Sequence, residues 1–214
     1  MSEPSASDGA KPALVAIVDD DEAIGDALSM LLEAEGHEAV AFTSPDVFLG
    51  QVKANPPDCV LLDVRMPERN GIDVLKDLSA GFSNLPVIMI TGHGDVPMAV
   101  KAMSLGAIDF IQKPFNDDAL LAAVTTGLAQ RHAQAEKSQE IDRAKELVAR
   151  LTDRERQVLS QIVAGHPNKV IAYNLDISPR TIEVHRKRVM DKTEARATSH
   201  LVRIGLLAGV EPAS

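Results

Sequence analysis

The chain has 214 residues, 45% hydrophobic and 25% charged, with a net charge of −9, the profile of one large globular domain or two small ones. No apolar run reaches the ~18 residues of a membrane-spanning helix. The polar start MSEPSASDGAKP lacks the basic and apolar regions of a signal peptide and reads as a loose tail over 1–12. The lone Cys59 excludes an internal disulfide, suits a reducing cytoplasm, and sits in the apolar run CVLLD as a small core residue. Charge is distributed unevenly: residues 1–130 carry −13, 131–150 carry +1 and 151–214 carry +3. An acidic segment joined to a basic one predicts two domains with different partners.

Short apolar runs at Leu14–Val18, Glu38–Phe42, Cys59–Leu62, Pro86–Ile90 and Asp109–Gln112 alternate with amphipathic stretches near 22–35, 45–54, 71–79 and 96–105. This alternation predicts a parallel sheet with helices on both faces, because strands buried on both sides read as continuous apolar runs. A final helix from Asn116 completes a (βα)5 unit over 13–130. The stretch 116–150 has no proline and one glycine. Its 131–150 part reads as a helical linker, with Ile141, Ala144, Val148 and Leu151 at three- and four-residue spacing. That stripe fits a solvated spacer or a helix that pairs with a second copy. From 151 the pattern is all-helical, at about 153–164, 168–175, 179–192 and 199–207, opened by the capping box Thr152-Asp153-Arg154-Glu155.

Polar residues gather where the strands end. Asp19, Asp20 and Asp21 follow the first run, Asp63 ends the third, Thr91 the fourth, and Lys113 follows the fifth. In folds of this kind ligands bind beyond the carboxyl ends of the strands. Crowded carboxylates repel unless a cation neutralises them, and a hard dication such as Mg²⁺ suits an oxygen-only set. Helix capping accounts for Asp21 and Glu22 without any such site. It leaves Asp63 unexplained, since Val-Arg-Met-Pro follows it.

The motifs VDDDE, LLDVRMP, ITGHGDVPMAV and FIQKPF, in this order and spacing, resemble the receiver domain of two-component response regulators of the FixJ–NarL class. The resemblance implies a flavodoxin-like strand order 2-1-3-4-5. It implies that Asp63 accepts a phosphoryl group from a histidine kinase. Asp20, with Asp19, Asp63 and the backbone carbonyl of Arg65, would hold Mg²⁺. Thr91 would bond the phosphoryl oxygen, Lys113 would neutralise it, and Pro114 would follow a cis bond. Thr91 and Phe110 would act as the switch pair. Arg65 and His93 would border the attacking water and tune the lifetime of the phosphoryl group. Val96, Met98, Ala99, Lys101 and Ala102 would lie on the face that dimerises on phosphorylation.

The segment LTDRERQVLSQIVAGHPNKVIAYNLDISPRTIEVHRKRVMDK resembles the four-helix LuxR-type helix-turn-helix. Its turn chemistry agrees independently, with Ser178 as N-cap and Pro179 at the first helical position. Pro179–Lys192 is then the recognition helix for the major groove of double-stranded DNA. By position, Val184 and Lys187 would touch base edges, while Arg180, Thr181, Arg186, Arg188, Lys192 and, on the preceding helix, Lys169 would grip phosphates.

The expected function is a cytoplasmic, phosphorylation-dependent transcription regulator with a kinase, DNA and RNA polymerase as partners. It is not an enzyme beyond its own phosphorylation and dephosphorylation. Two other readings compete with this one. A phosphatase of the haloacid-dehalogenase type wants a second aspartate where this chain has Arg65. A DNA-binding protein using the receiver only as a dimerisation scaffold has no use for the full Asp/Thr/Lys set.

Overall fold

The computed structural model describes residues 12–67, 69–82, 84–92 and 96–213. The expected tail before Pro12 and His93 lie outside the described residues. The elements run β1 (Leu14–Val18), α1 (Glu22–Ala34), β2 (Glu38–Phe42), α2 (Pro45–Gln51), β3 (Cys59–Asp63), α3 (Gly71–Gly81), β4 (Val87–Thr91), α4 (Val96–Ser104), β5 (Asp109–Gln112) and α5 (Asp117–Ala149). They continue with α6 (Asp153–Val163), α7 (Asn168–Asn174), α8 (Pro179–Lys192) and α9 (Thr198–Leu207). The chain divides into two compact units, one ending at Gln134 and the other beginning at Ala135.

The first unit is built on a parallel sheet in the order β2-β1-β3-β4-β5. Its three central strands are apolar because each side chain faces a packed layer, whichever way it points. Ala16, Val18, Val60, Leu62, Val87 and Met89 meet Phe48, Leu75 and Ala102 from α2, α3 and α4. Val15, Ile17, Cys59, Leu61, Ile88 and Ile90 meet Leu28, Leu32, Leu120 and Val124 from α1 and α5 on the other face. The edge strands β2 and β5 are only half-buried, and their sequences are correspondingly more polar. Asp21 caps α1 through Ala23 N, and Asn70 caps α3 through Ile72 N. These caps satisfy amide groups that a helix start leaves without partners.

The second unit packs Val158, Leu159, Ile162, Ile171, Ala172, Ile182, Val189, Leu201 and Ile204 into one core. The capping box at α6 is present in both directions, with Thr152 N donating to Glu155 at 2.8 Å. Ser178 caps α8 by accepting from Thr181 N at 3.1 Å.

The apolar stripe of 141–151 has a third use besides the spacer and the paired helix. Ala144, Leu147 and Leu151 are buried in the core of the second unit, with Val148 packed against it. Glu140 pairs with Arg203, while Arg143 and Arg150 both pair with Glu194. The stripe therefore covers a core of its own domain. Helical spacing identifies such a stripe but not the surface that covers it.

Candidate functional site

Each strand of the first unit delivers its last residue to one edge of the sheet. Asp19 follows β1 and is 5% exposed, Asp63 ends β3 at 6%, and Thr91 ends β4 fully buried. Lys113 N donates to Thr91 O at 2.7 Å, which seats the residue after β5 beside the end of β4. The Lys113–Pro114 peptide bond is cis.

The ammonium of Lys113 bonds two carboxylates at once. Nζ lies 2.5 Å from Asp19 Oδ2 and 2.8 Å from Asp63 Oδ1. Asp63 Oδ2 also accepts from Arg65 N at 2.6 Å, and Asp19 Oδ1 accepts from Asp21 N at 3.0 Å. Burial pushes the Asp63 carboxyl above the usual carboxylate range, although Lys113 and the Arg65 amide pull the other way. Burial also opposes the charge of Lys113, but the hydrogen bonds to Asp19 and Asp63 outweigh it and raise the ammonium. One lysine between two buried carboxylates leaves one negative charge without a matching cation.

Those donors fit a hard dication. They are all oxygens, they carry excess negative charge, and at Asp63 burial opposes that charge most strongly, with Asp19 adding to it. Among the described residues no three His, Cys, Asp or Glu side chains converge to hold a metal by themselves. Mg²⁺ takes one or two carboxylates and completes its shell with water and phosphate oxygens, so two carboxylates suffice. Asp20, expected as the main metal carboxylate, is exposed, whereas Asp19 is the buried one.

Phe110 is half-buried against the core beneath α2, α3 and α4. On α4 the large apolar side chains Val96, Val100 and Met103 are exposed. Ala102, expected on the outer face, is fully buried, and Val100 and Met103 take its place there. Helical spacing within nine residues does not decide which side of so short a helix faces in.

On α8, Ile182 and Val189 are buried, while Arg180, Val184, Lys187 and Arg188 are exposed. Arg186 reaches Thr198 Oγ1 at 3.3 Å. Thr181 bonds Ser178 through both its amide and its hydroxyl. Lys169 on α7 is exposed. Lys192 is placed differently: its ammonium donates to the buried Glu155 at 2.7 Å, matching its charge inside the domain. Glu155 is legible in the sequence as a capping carboxylate, but nothing there signals this ion pair, which joins residues 37 positions apart.

Comparison with known proteins bears on both units. Residues 15–125 match the response regulator receiver domain, and residues 149–204 match the bacterial regulatory proteins of the luxR family. The chain is 46% identical over 199 residues to the transcriptional regulatory protein FixJ of Azorhizobium caulinodans, covering 93% of this chain and 94% of that protein. Among solved structures, the response regulator StyR is 38% identical with a TM-score of 0.77, covering 91% of this chain and 98% of StyR. Full-length FixJ from B. japonicum is 43% identical with a TM-score of 0.58, covering 92% of this chain and 97% of that one.

Proposed function

The chain belongs to the response regulators that join a receiver domain to a LuxR-type DNA-binding domain, and from that membership we propose that Asp63 takes a phosphoryl group from a histidine kinase and that the modified receiver sets how tightly the C-terminal module holds promoter DNA. Such a protein is a transcription regulator rather than an enzyme, and it works between a kinase and DNA. The observation that carries the reading is the Lys113 ammonium shared by two buried carboxylates at the strand ends.

In the transfer, a carboxylate oxygen of Asp63 attacks phosphorus in line with the phosphohistidine bond. The P–N bond breaks, and the imidazole nitrogen leaves with the electron pair and regains a proton from solvent. Phosphoryl transfer needs positioning and charge neutralisation more than covalent help. Lys113 supplies one positive charge, and the Arg65 amide orients the carboxylate. Mg²⁺, held by Asp19, Asp20, Asp63 and the carbonyl of Arg65, would supply the remaining neutralisation. Thr91 bonds the new phosphoryl oxygen, and Phe110 turns inward as it does. Water later attacks the acyl phosphate beside Arg65 and releases inorganic phosphate, so the receiver removes its own modification.

Phosphorylation adds about −1.5 to −2 charge where one carboxylate stood. It favours a homodimer through the outer face of α4, where Val96, Val100 and Met103 already stand exposed. Two copies of α8 then enter successive major-groove half-sites. Val184 and Lys187 read base edges. Arg180, Thr181, Arg186, Arg188 and Lys169 grip phosphates. The DNA-bound dimer meets RNA polymerase in the cytoplasm.

Labelling with radioactive acetyl phosphate tests the reading. Wild type should gain one hydroxylamine-labile phosphoryl group per chain, and Asp63→Asn none. Equal labelling of the two proteins would refute it.

A further inference from the structure

Gly71 opens α3 and is buried. A Cβ built on it would lie 2.0 Å from the backbone oxygen of Asp63, 3.0 Å from its carbonyl carbon and 3.1 Å from Val64 Cα. All three are backbone atoms and have no rotamer to escape into. Elsewhere the clash is softer. A Cβ on Gly25 would meet only the Ala41 side chain at 3.2 Å, and one on Gly127 would meet the side chains of Ile108 and Pro86 at 2.7 and 3.1 Å.

The same glycine closes the loop that leaves Asp63, because its amide donates to Val64 O at 2.9 Å. Inside that loop Arg65 N holds Asp63 Oδ2, and Met66 is buried. The first turn of α3 thus rests directly on the backbone of the residue whose side chain faces Lys113.

We propose that Gly71 is a positioning residue for the phosphoacceptor: the absence of a side chain lets the α3 N-terminus press on the Asp63 peptide and hold its carboxylate on Lys113 and the Arg65 amide. The inference rests on the phosphoacceptor reading above. Relieving the contact from 2.0 Å to an ordinary 3.4 Å moves the Asp63 backbone or the helix by more than 1 Å. A misplacement of about 1 Å at a reacting group costs on the order of 10²-fold in rate.

The test compares three full-length variants with wild type. Gly71→Ala presses on the Asp63 backbone. Asn70→Ala frees the same helix end without a clash, by removing the acceptor of Ile72 N. Gly127→Ala strains the same domain against side chains only. Rates of labelling by acetyl phosphate and melting temperatures are measured for all, with the ¹⁵N resonance of the Lys113 ammonium read in metal-free protein. Gly71→Ala should label about 10²-fold more slowly with a shifted Lys113 resonance. Asn70→Ala should label several-fold more slowly. Gly127→Ala should lose stability yet keep the wild-type rate and resonance. Wild-type labelling and an unmoved Lys113 signal in Gly71→Ala overturn the inference. So does a wild-type rate in Asn70→Ala if Gly71→Ala fails to fold, or a rate loss in Gly127→Ala equal to that in Gly71→Ala. Absence of Asp63-dependent labelling in wild type would instead remove the phosphoacceptor reading itself.

Discussion

Replacing Lys192 by methionine takes the ammonium from a carboxylate that stays buried. Glu155 is 3% exposed, and its Oε2 accepts from Lys192 Nζ at 2.7 Å and from Thr152 N at 2.8 Å. Burial alone would raise this carboxyl; the lysine and the capping amide reverse the effect and bring it from 4.5 down to about 2. At 1.36 kcal/mol per pH unit this corresponds to about 3 kcal/mol. Part of this belongs to the Thr152 amide and hydroxyl, and Lys192 is 37% exposed so that solvent screens the pair, which leaves about 2 kcal/mol for the lysine. The folded value is depressed, so this stability is fully present above about pH 4.5 and is lost as pH falls toward 2. Lys192→Met should therefore cost roughly 2–4 kcal/mol at pH 7, since it leaves a buried carboxylate unpaired. The gap from wild type should narrow as pH falls from 4.5 toward 2. Urea unfolding of the whole chain follows this, with circular dichroism for both units and Tyr173, the chain's single tyrosine, reporting the module that contains α7. An unchanged unfolding midpoint together with a DNA salt slope reduced by about one would refute the reasoning. Lys192 would then be the phosphate contact its sequence position suggests.

Three further outcomes follow from the same geometry. Leu147→Ala should lower the stability of the C-terminal unit by about 2–4 kcal/mol, because Leu147 is buried in its core; a loss under 0.5 kcal/mol in urea titration would mean the end of α5 is a spacer. Lys187→Ala and Arg188→Ala are exposed changes that should leave the unfolding midpoint alone. Arg188→Ala should reduce the slope of log affinity against log salt by about one, whereas Lys187→Ala should weaken discrimination between promoter and random DNA. Asp63→Asn should melt at a higher temperature than wild type at pH 7. The folded Asp63 carboxyl is raised by burial, so its contribution is favourable at acid pH and is lost as pH rises through that value. Scanning calorimetry at pH 4 and pH 7 checks this, and a difference between the two proteins that did not grow with pH would contradict it.

The sheet was legible because its strands are buried on both faces. Val15 and Ile17 meet one layer while Ala16 and Val18 meet the other, so no position in β1 tolerates a charge. Termini were legible for a local reason, since Asp21, Thr152 and Ser178 each bond an amide two or three residues on. What the sequence conceals is pairing across distance. Lys113 and Asp19 stand 94 positions apart, and nothing in FIQKPF says that the lysine bonds both aspartates. The 2.0 Å approach of Gly71 to Asp63 is equally hidden, because a glycine after a loop reads as a turn wherever it occurs. The stripe at Ala144, Leu147 and Leu151 shows its helical spacing plainly, but spacing names no partner. Lys192 carries the same charge as its neighbours on α8, and only the fold reveals the acid beneath it.

The central claim is that a phosphoryl group on Asp63 governs the basic module. Fluorescence anisotropy with a promoter fragment selected from genomic DNA tests it on the unmodified chain, the acetyl-phosphate-treated chain and Asp63→Asn treated alike. Coupling between two sites in one protein is worth about 1–3 kcal/mol, a change of about 5–150-fold. Treatment should tighten wild-type binding by an amount in that range and leave Asp63→Asn at the affinity of the unmodified protein. One Kd shared by all three would contradict the account.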